Sequence, residues 1–513
     1  MHQLENKIIY QIYPKSFKDT SGNGFGDING IIEKLDYLKN LGVDYLWLSP
    51  CCKSPQKDNG YDIADYRQID PLFGTNEDYL RLIKEAKKRN MKVMMDLVLN
   101  HTSDQHIWFK KACQRDPQYF DYYIWRQTPN DLSSYFSESA WTYNKEIGMY
   151  YFHLFDVSQP DLNWDNPKVR QELYDMVNYW IKQGVEGFRL DVIDVIGKVP
   201  DLKITSKGPK FYEYLQELNE NTFKDQLLTV GECWGSTLEE SNKMCNEKGL
   251  TQAFHFNHLT TTQVNNDKFK QTPLNLDKVC EILNNWQNNY TGIEAMVMNN
   301  HDLPRLVSLW LDDNQYRIPS AKLLITLFGI TKGNLYIYQG EEIGMTNAHR
   351  HDLAFYNDVE TLNKYRMLKQ EGYTHEKIME MISLISRDNA RTPMQWDNSK
   401  NSGFTQGKPW LEVNSNYLTI NVENDLNNPE GVYAYYQKII EFRKKHYDLI
   451  NQPSNYSHHD GVVEVKRGNL RIYANFTNEN KMIQEYGEIQ MKNYQIHDFN
   501  TLKPYEVIFT KVK

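Results

Sequence analysis

Eight short apolar runs, each followed by a helix-like stretch, recur along most of this 513-residue chain and constrain its fold more than any other feature. The runs lie at 7–14, 43–50, 91–100, 185–192, 226–233, 252–258, 294–302 and 334–342. Such alternation is typical of repeated βα units around a parallel sheet whose faces are covered by helices. Eight units predict a closed (β/α)₈ barrel, an α/β fold.

Two intervals interrupt this alternation. Residues 102–168 follow the third run and are rich in Tyr, Trp, Asn, Gln and Ser. The interval is too long for an ordinary loop, so it predicts an inserted subdomain that overhangs the barrel mouth. A second interruption, from about 345 to 430, also carries a helical pattern.

The pattern changes again after a helix-like stretch at 432–446. Short alternating runs such as "GVVEVKRGNLRIYANFTN" follow it and predict a small antiparallel β domain over 451–513. The barrel is therefore assigned to residues 1–101 and 169–450, on either side of the inserted subdomain.

The overall charge argues against two classes of partner. Charged residues make up 24% of the chain and the net charge is −9, which does not favour binding to nucleic acid or to an anionic membrane. The start, "MHQLENKIIYQIYP", has no basic segment before an apolar run, and no stretch of 18 apolar residues occurs. We expect a monomeric cytoplasmic protein.

The cysteines support the same location. They are Cys51, Cys52, Cys113, Cys233, Cys245 and Cys280. Because they are sparse and show no C-x-x-C spacing, neither a disulfide scaffold nor a zinc site is predicted, and we expect reduced thiols. A glycosylation sequon at 100–102 lies beside the candidate site described next, where a glycan would block a substrate.

Ionisable residues cluster at the ends of four of the apolar runs. They are Asp96, Asn100 and His101, then Arg189 and Asp191, then Glu232, and finally His301 and Asp302. In barrels of this class the chemistry takes place at the carboxyl ends of the strands. Any one of these residues could belong to a strand-end turn or a salt bridge, but the set indicates a catalytic rim.

Two facing carboxylates are the minimum equipment for splitting a glycosidic bond. Arg189 and Asp191 are two residues apart and share a strand face, so we expect the arginine to keep Asp191 ionised as a nucleophile. Glu232 is followed by Cys233 and Trp234, a partly desolvating neighbourhood that would raise the pKa of a general acid.

Other rim residues suit the same chemistry. Asp302 supplies a third negative charge, which would orient sugar hydroxyls and stabilise an oxocarbenium-like transition state. His101 and His301 could donate hydrogen bonds to the same sugar ring. Most of the numerous Tyr and Trp residues are expected to serve in packing.

The segments "DLVLNH", "GFRLDV", "GECWG" and "NNHD" resemble the four signature regions of the α-amylase superfamily of retaining glycoside hydrolases, in the same order. "QPDLNW" at 159–164 resembles the additional signature of its inserted subdomain. The resemblance covers essentially the whole chain. It implies Asp191 as nucleophile, Glu232 as acid/base and Asp302 as transition-state stabiliser.

The resemblance also implies a pocket for the non-reducing glucose. Its residues would be Asp58, Tyr61, His101, Arg189, His301 and Arg387. In this arrangement Asp58 pairs with Arg387 to close the end of the pocket.

Val192 bears on the linkage that is cleaved. In similar enzymes a Val after the nucleophile accompanies α-1,6-linked substrates and a Thr accompanies α-1,4-linked ones, although the residue could equally be an ordinary strand residue. "GECWG" and "NNHDLPRLVSLW" look most like the branch of oligo-1,6-glucosidases and glucan 1,6-α-glucosidases. By that resemblance Trp234, Lys268 and Glu360 would contact the second glucose.

The resemblance therefore predicts an exo-acting α-glucosidase that cleaves α-1,6 linkages at the non-reducing end of isomalto-oligosaccharides, with retention. Trehalose-6-phosphate hydrolase is the alternative, and sucrose or α-1,4 substrates are further ones. A non-enzymatic relative, such as a transporter heavy chain, should carry a membrane span and lack one of the carboxylates. This chain has all three carboxylates.

A possible structural metal site lies in "DTSGNGFGD". Oxygen ligands for Ca²⁺ would come from Asp19, Ser21, Asn23 and Asp27, with the Phe25 carbonyl as a fifth. The alternative is a Gly-rich turn stiffened by Asx hydrogen bonds. The proposed chemistry requires no metal.

Overall fold

The computed structural model describes residues 2–224, 226–265, 267–483, 487–497 and 500–512. Its central sheet comprises β1 (Ile8–Ile12), β2 (Tyr45–Leu48), β3 (Lys92–Val98), β4 (Gly187–Asp191), β5 (Leu228–Glu232), β6 (Gln252–Phe254), β7 (Ala295–Val297) and β8 (Asn334–Tyr338). All paired strands are parallel, in the order β6-β5-β4-β3-β2-β1-β8-β7. The predicted (β/α)₈ barrel is confirmed, with each strand inside a predicted run.

The barrel strands are buried on both faces, which explains why the sequence runs are apolar rather than alternating. The outer ring comprises α1 (Leu35–Leu41), α2 (Asn76–Lys88), α3 (Pro167–Lys182), α4 (Phe211–Asn221), α5 (Leu238–Met244), α6 (Leu276–Asn289), α7 (Arg317–Gly329) and α8 (Val432–Lys445). Shorter helices at Ile28–Glu33 and Leu306–Trp310 precede α1 and α7.

Local signals fix where these helices begin and end. α2 begins at a capping box in which Thr75 and Asp78 bond each other's backbone N–H. α1 ends at Gly42, whose φ of 101° favours glycine. α7 is apolar on nearly all sides because it packs against both α8 and the C-terminal sheet.

The inserted subdomain follows β3. It contains a helix (Ile107–Cys113) and a three-stranded antiparallel sheet, Trp125–Arg126, Trp141–Asn144 and Met149–Phe152, with the last strand in the middle. The Leu162 N–H donates to the Asn100 carbonyl at 2.9 Å, so the end of the insertion returns to the carboxyl end of β3. The subdomain is thereby held at the barrel mouth.

Further segments surround the same mouth. Two hairpins, Cys52–Lys53 with Asp65–Ile69 and Gln263–Val264 with Asp267–Gln271, follow β2 and β6. After β8 come helices Val359–Gln370, His375–Ile385, Asp388–Arg391 and Val422–Leu426, in the interval where the sequence predicted helical pattern.

The C-terminal domain is antiparallel, as predicted. After a short helix (Tyr447–Ile450), its main sheet has the order Ser454–His459, Val462–Arg467, Leu470–Asn475, Val507–Lys511 and Glu488–Lys492. Lys481–Met482 pairs separately with Thr501–Leu502.

Side-chain amides of α6 cover the edge strand of this sheet. Asn284 accepts from the Tyr456 N–H at 2.7 Å and donates to its carbonyl at 2.8 Å. Asn288 bonds both backbone groups of Ser454 in the same way. An edge strand exposes unpaired backbone groups, and these amides satisfy them from the barrel side.

All six cysteines are free. Within the described ranges, no helix is both long and apolar enough to span a lipid bilayer.

Arg467 joins the C-terminal sheet to the barrel. Its buried guanidinium donates to the carbonyls of Ile450 and Gln452 at 2.6 and 2.9 Å and to the Gln287 side chain of α6 at 2.6 Å. Through the bond to Gln287, this charged side chain adds a buried polar link between the two parts to those made by Asn284 and Asn288.

We expect Arg467→Met to lower the free energy of unfolding by about 2–4 kcal/mol, because it leaves buried acceptors without donors. Calorimetric melting of both proteins tests this. The matched control is Arg471→Met, since Arg471 bonds only nearby carbonyls of its own hairpin. Equal losses of stability in the two variants would contradict the assignment.

Candidate active site

The predicted rim residues meet at the carboxyl end of the barrel. Asp96 lies in β3, Arg189 and Asp191 lie in β4, and Glu232 ends β5. Asp302 follows β7. The barrel thus brings together residues that are up to about 200 positions apart in the chain, and their side chains are linked directly, as follows.

Arg189 is the centre of this arrangement. One terminal nitrogen donates to Asp96 at 2.9 Å and to Asp191 at 2.7 Å. The other terminal nitrogen forms an ion pair with Glu232. Three carboxylates from three adjacent strands therefore share one guanidinium.

Aromatic rings enclose that guanidinium. Its carbon lies 5.5 Å from the centre of the Trp47 ring and 5.6 Å from that of Tyr61. The Trp47 indole N–H and the Tyr61 hydroxyl both donate to the second oxygen of Asp96. Asp96 therefore accepts hydrogen bonds from Arg189, Trp47 and Tyr61. The Arg189 side chain is only 1% exposed.

Burial dominates the acidity of Asp191 and Asp96. It raises the pKa of Asp191 well above the usual range; Arg189 opposes this rise, whereas the charge of Glu232 adds to it. Burial likewise raises the pKa of Asp96 to about 6. Arg189 favours the ionised form of Asp191, as expected, but burial and the charge of Glu232 outweigh it, so the expectation that the arginine keeps Asp191 ionised is not met.

The pKa of Asp302 is shifted in the opposite direction to that of Asp191. One oxygen accepts from Arg387 at 3.0 Å and from Arg391 at 2.8 Å, and the other lies 3.1 Å from His301 Nε2. Burial opposes its ionisation, but the His301 ring and the two guanidiniums hold its pKa below the usual range. Asp302 is thus ionised, and its side chain is 20% exposed toward the pocket.

His301 and Tyr61 form one wall of the pocket. Their rings stack with centroids 5.3 Å apart, and the Tyr61 hydroxyl lies 2.7 Å from His301 Nε2. Gln11 Nε2 can only donate, so His301 Nδ1 accepts its hydrogen bond and the ring proton is on Nε2. Burial lowers the pKa of His301 to about 3, so the ring is neutral near pH 7.

His101 lies beside this wall. Its Nδ1 accepts from the Asn100 amide at 3.1 Å, and its Nε2 donates to the Tyr61 carbonyl at 3.1 Å. Asn100 in turn donates to Asp161 of the inserted subdomain. Burial lowers the pKa of His101 to about 4, so this ring is also neutral.

Asp58 lies in the pocket and forms the predicted ion pair with Arg387. The two side chains are 3.9 Å apart, and Gln159 of the subdomain signature also donates to Asp58, at 3.0 Å. Burial raises the pKa of Asp58 to about 7, against the opposing charge of Arg387. The contact with Gln159 was not predicted.

Asp358 is the direct partner of Arg387 and was not predicted. It accepts from Arg387 Nε at 2.9 Å and Nη2 at 2.6 Å, while its other oxygen caps helix Val359–Gln370 through Thr361. Because it directly precedes a helix and caps it, the local sequence gives no sign of the second contact. Arg391, four residues after the predicted Arg387, was also not predicted.

Val192 and Trp234 flank Glu232. Val192 has φ 37° and ψ 45°, an uncommon backbone conformation for a β-branched residue, and its N–H lies 3.3 Å from Glu232 Oε2. Trp234 donates from its indole to Glu232 Oε1 at 2.9 Å and stacks on Phe256 with ring centroids 4.0 Å apart. Trp234 thus both orients Glu232 and presents a ring to the leaving-group side.

Lys268 and Glu360 come together as the resemblance implies. Their side chains form an ion pair of 2.5 Å, and Glu360 also lies 3.3 Å from Arg387 Nε. Lys268 follows β6 and Glu360 lies in the helix after β8, so the pair joins two segments at the mouth of the barrel. The positive charge of Lys268 is neutralised by this contact.

The candidate metal loop is held by its own hydrogen bonds. Asp19 accepts from the N–H groups of Ser21 and Gly24, both at 2.8 Å, and Asn23 accepts from the Phe25 N–H at 2.8 Å. Asp27 caps helix Ile28–Glu33. These bonds fit the alternative of a stiff turn, and in the described part of the chain no three His, Cys, Asp or Glu side chains are gathered as metal ligands.

A model of the α-amylase catalytic domain matches residues 11–452. The chain is 48% identical over 501 residues to a glucan 1,6-alpha-glucosidase of Streptococcus pneumoniae, an alignment that covers 94% of this chain and 93% of that protein. It is 43% identical over 555 residues to an oligo-1,6-glucosidase of Bacillus cereus, with 99% of each protein covered. A trehalose-6-phosphate hydrolase structure from Bacillus licheniformis matches with TM-score 0.92 at 41% identity, over 99% of each chain. The chain therefore belongs to the α-amylase family of glycoside hydrolases.

Proposed function

We propose that the protein is a retaining, exo-acting α-glucosidase that hydrolyses α-1,6 linkages at the non-reducing end of isomalto-oligosaccharides. The observation that carries this proposal is the pairing of Asp191 and Glu232 on one guanidinium. Each carboxylate contacts one terminal nitrogen of Arg189, so the two lie close together. In retaining enzymes, where one carboxylate attacks the sugar directly, the two carboxyl groups are about 5–5.5 Å apart. Inverting enzymes require a wider gap for water.

The reaction follows from the positions of these groups. Glu232 gives its proton to the glycosidic oxygen while an oxygen of Asp191 attacks the anomeric carbon, so the bond to the leaving sugar breaks as a covalent glucosyl ester forms. Glu232, now ionised, removes a proton from water, which attacks the same carbon and releases Asp191. The two inversions give net retention.

The charge of Asp302 supports this sequence of steps. Asp302 remains ionised beside the pocket and faces the positive charge that develops on the sugar ring.

Exo action is supported by the closed end of the pocket. Arg387 contacts Asp302 and Asp358, and Gln159 donates to Asp58, so charged and polar side chains from four segments fill the space beyond the first sugar. The hydroxyls of a terminal glucose would find donors and acceptors there. A longer chain could extend only on the Glu232 side.

The α-1,6 preference is supported by Val192, by Trp234 and by the two relatives named as α-1,6-glucosidases. Trehalose-6-phosphate hydrolysis is the second candidate because a solved structure with that activity in its name matches over 99% of each chain. A phosphate needs an available cation, and Lys268 on the leaving-group side is already paired with Glu360.

The substrate experiment compares kcat/KM for isomaltotriose and trehalose 6-phosphate. We expect a preference for isomaltotriose of at least about 100-fold, because an uncompensated phosphate beside paired acidic groups loses roughly 3 kcal/mol or more. A preference for the phosphate would reject the α-1,6 proposal and leave the catalytic residues in their roles.

The nucleophile is tested by Asp191→Asn, which keeps the shape of the side chain but removes the attacking oxygen. We expect kcat to fall on the order of 10⁴-fold, because residues of a catalytic unit fail together. The matched control is Asp201→Asn, an exposed carboxylate on the loop after the same strand. Turnover by Asp191→Asn within tenfold of the wild type would exclude Asp191 as the nucleophile.

Val192→Thr tests the linkage preference. The added hydroxyl offers a hydrogen bond to the second sugar that the valine cannot make, so kcat/KM for maltose should rise relative to isomaltose by roughly tenfold. The two disaccharides are assayed at the same pH with both proteins. An unchanged ratio would mean that Val192 is only a packing residue.

Other expectations stay predictions. A cytoplasmic location is supported by six free cysteines and by the sequon at the pocket wall. Monomeric state and Ca²⁺ binding by the loop of Asp19 and Asp27 can be measured by light scattering and by melting with Ca²⁺ or EDTA.

A further inference from the structure

Gln11 is a buried polar residue of the barrel to which the proposed reaction gives no role. It lies in β1 and is 1% exposed. Its amide nitrogen contacts the Ser49 hydroxyl at 3.1 Å and His301 Nδ1 at 2.8 Å. Ser49 follows β2 and His301 follows β7, so the glutamine connects a pocket residue to the interior of the barrel.

The Gln11 amide uses its donors and leaves its acceptor unpaired. The nitrogen carries two hydrogens, one for Ser49 and one for His301. The oxygen is buried, and among the described residues it has no hydrogen-bond partner. An unpaired buried carbonyl oxygen costs free energy, and an apolar side chain of the same length would avoid that cost. Packing alone therefore does not account for an amide at this position.

The contacts of His301 require a donor at its Nδ1. On the other side of the ring, Nε2 lies 3.1 Å from an oxygen of Asp302 and 2.7 Å from the Tyr61 hydroxyl. An ionised carboxylate can only accept, so Nε2 must carry the proton of the neutral ring. Nδ1 is then an acceptor. The N–H of Gln11 fits it, whereas the amide oxygen in the reverse orientation would not.

The position of this proton sets the direction of a longer chain of hydrogen bonds. With its proton on Nε2, His301 donates to the Tyr61 oxygen, and the single hydroxyl proton of Tyr61 is then free for Asp96, 3.2 Å away. With Nε2 unprotonated, the Tyr61 hydroxyl would donate to Nε2 and Asp96 would lose this donor. Asp96 contacts Arg189, the guanidinium that also holds Asp191 and Glu232.

Packing fixes the orientation of the His301 ring but not its tautomer. The ring is stacked between Tyr13 and Tyr61, with centroids 5.9 and 5.3 Å away, and it is fully buried. Arg391 Nε donates to the His301 carbonyl at 2.9 Å, which holds the backbone. The two tautomers have the same shape, so only the hydrogen bonds at the ring nitrogens distinguish them.

We infer that Gln11 is a positioning residue that keeps the proton of His301 on Nε2, an inference that rests on the proposed function. His301 is thereby a donor toward Asp302 and toward the hydroxyls of the first glucose, and Tyr61 is a donor toward Asp96. Gln11 touches neither the substrate nor the reacting atoms and acts through His301.

The first test removes the donor with Gln11→Met, which keeps the length of the side chain. We expect kcat for isomaltose to fall roughly 10- to 100-fold, which corresponds to the loss of about one buried hydrogen bond in the transition state. KM should stay within about threefold, because Gln11 makes no contact with the sugar.

The second test replaces the donor by an acceptor with Gln11→Glu. The introduced carboxylate favours a proton on His301 Nδ1, so Nε2 keeps its proton only while the carboxylate and the ring together hold two protons. The kcat/KM of this variant, divided by that of the wild type at each pH, should therefore fall as the pH rises. The charged groups that face the ring are shared by both proteins: Asp302, Arg189, Arg387 and Arg391.

The matched control is Gln252→Met. Gln252 is a fully buried glutamine of β6 whose amide accepts from the Tyr336 hydroxyl at 2.7 Å and donates to the Glu294 carbonyl at 3.1 Å. Its loss should lower the melting temperature and leave kcat per folded enzyme and the pH profile unchanged. Equal losses of kcat in Gln11→Met and Gln252→Met would overturn the assignment.

Two further outcomes would also overturn it: kcat of Gln11→Met within threefold of the wild type, or a ratio for Gln11→Glu that does not change with pH. If neither variant folds, ¹⁵N spectra of wild-type protein with labelled histidine rings decide, with the His301 signals identified by their absence in His301→Gln. A proton on Nε2 supports the inference and a proton on Nδ1 overturns it. These spectra need no turnover, so a wild type that does not cleave isomaltose would reject the proposed function separately.

Discussion

The guanidinium of Arg189 holds carboxylates from three neighbouring strands, and the rest of the active site depends on that contact. Asp96, Asp191 and Glu232 would repel one another strongly in a buried space without it. The barrel makes the contact possible because parallel strands in register place equivalent positions side by side. Trp47 and Tyr61 then exclude water and fix the charge.

Two ionic networks with different charge balance face each other across the pocket. In one, a single arginine serves three carboxylates, and burial raises the pKa of Asp191. In the other, Arg387 and Arg391 serve Asp302 and Asp358, and the pKa of Asp302 is lowered. Carboxylates whose environments push their pKa values apart take different roles. Burial outweighs the shared arginine at Asp191, whereas His301 and two arginines outweigh burial at Asp302.

Much of the fold could be read from the sequence because its strongest signal is burial. The strands are buried on both faces, so each one appears as a continuous apolar run. The carboxyl ends of those runs then located Asp191, Glu232 and Asp302. Residues whose role depends on a partner far away in the sequence were harder to predict.

Asp358 and Asp58 show why the remainder could not be predicted. Asp358 precedes a helix and does cap it, so nothing in the local sequence reveals that its other oxygen binds Arg387. The predicted pairing of Asp58 with Arg387 is present, but its closer contact with the amide of Gln159 was not predicted. The acidity of Asp191 was misjudged because the sequence shows Arg189 two residues away but does not show how completely the carboxylate is buried.

The inserted subdomain is coupled to the catalytic residues through buried polar contacts. Asp161 pairs with Lys198 of the loop after β4 at 3.1 Å and accepts from Asn100 at 3.2 Å, and both of its partners are nearly inaccessible to solvent. Asn100 fixes the tautomer of His101 in the pocket. A displacement of the subdomain would break a buried ion pair, which is costly, so the pocket wall and the leaving-group side keep a common geometry. Specificity can therefore reside in an insertion without loss of precision at the bond that is cleaved.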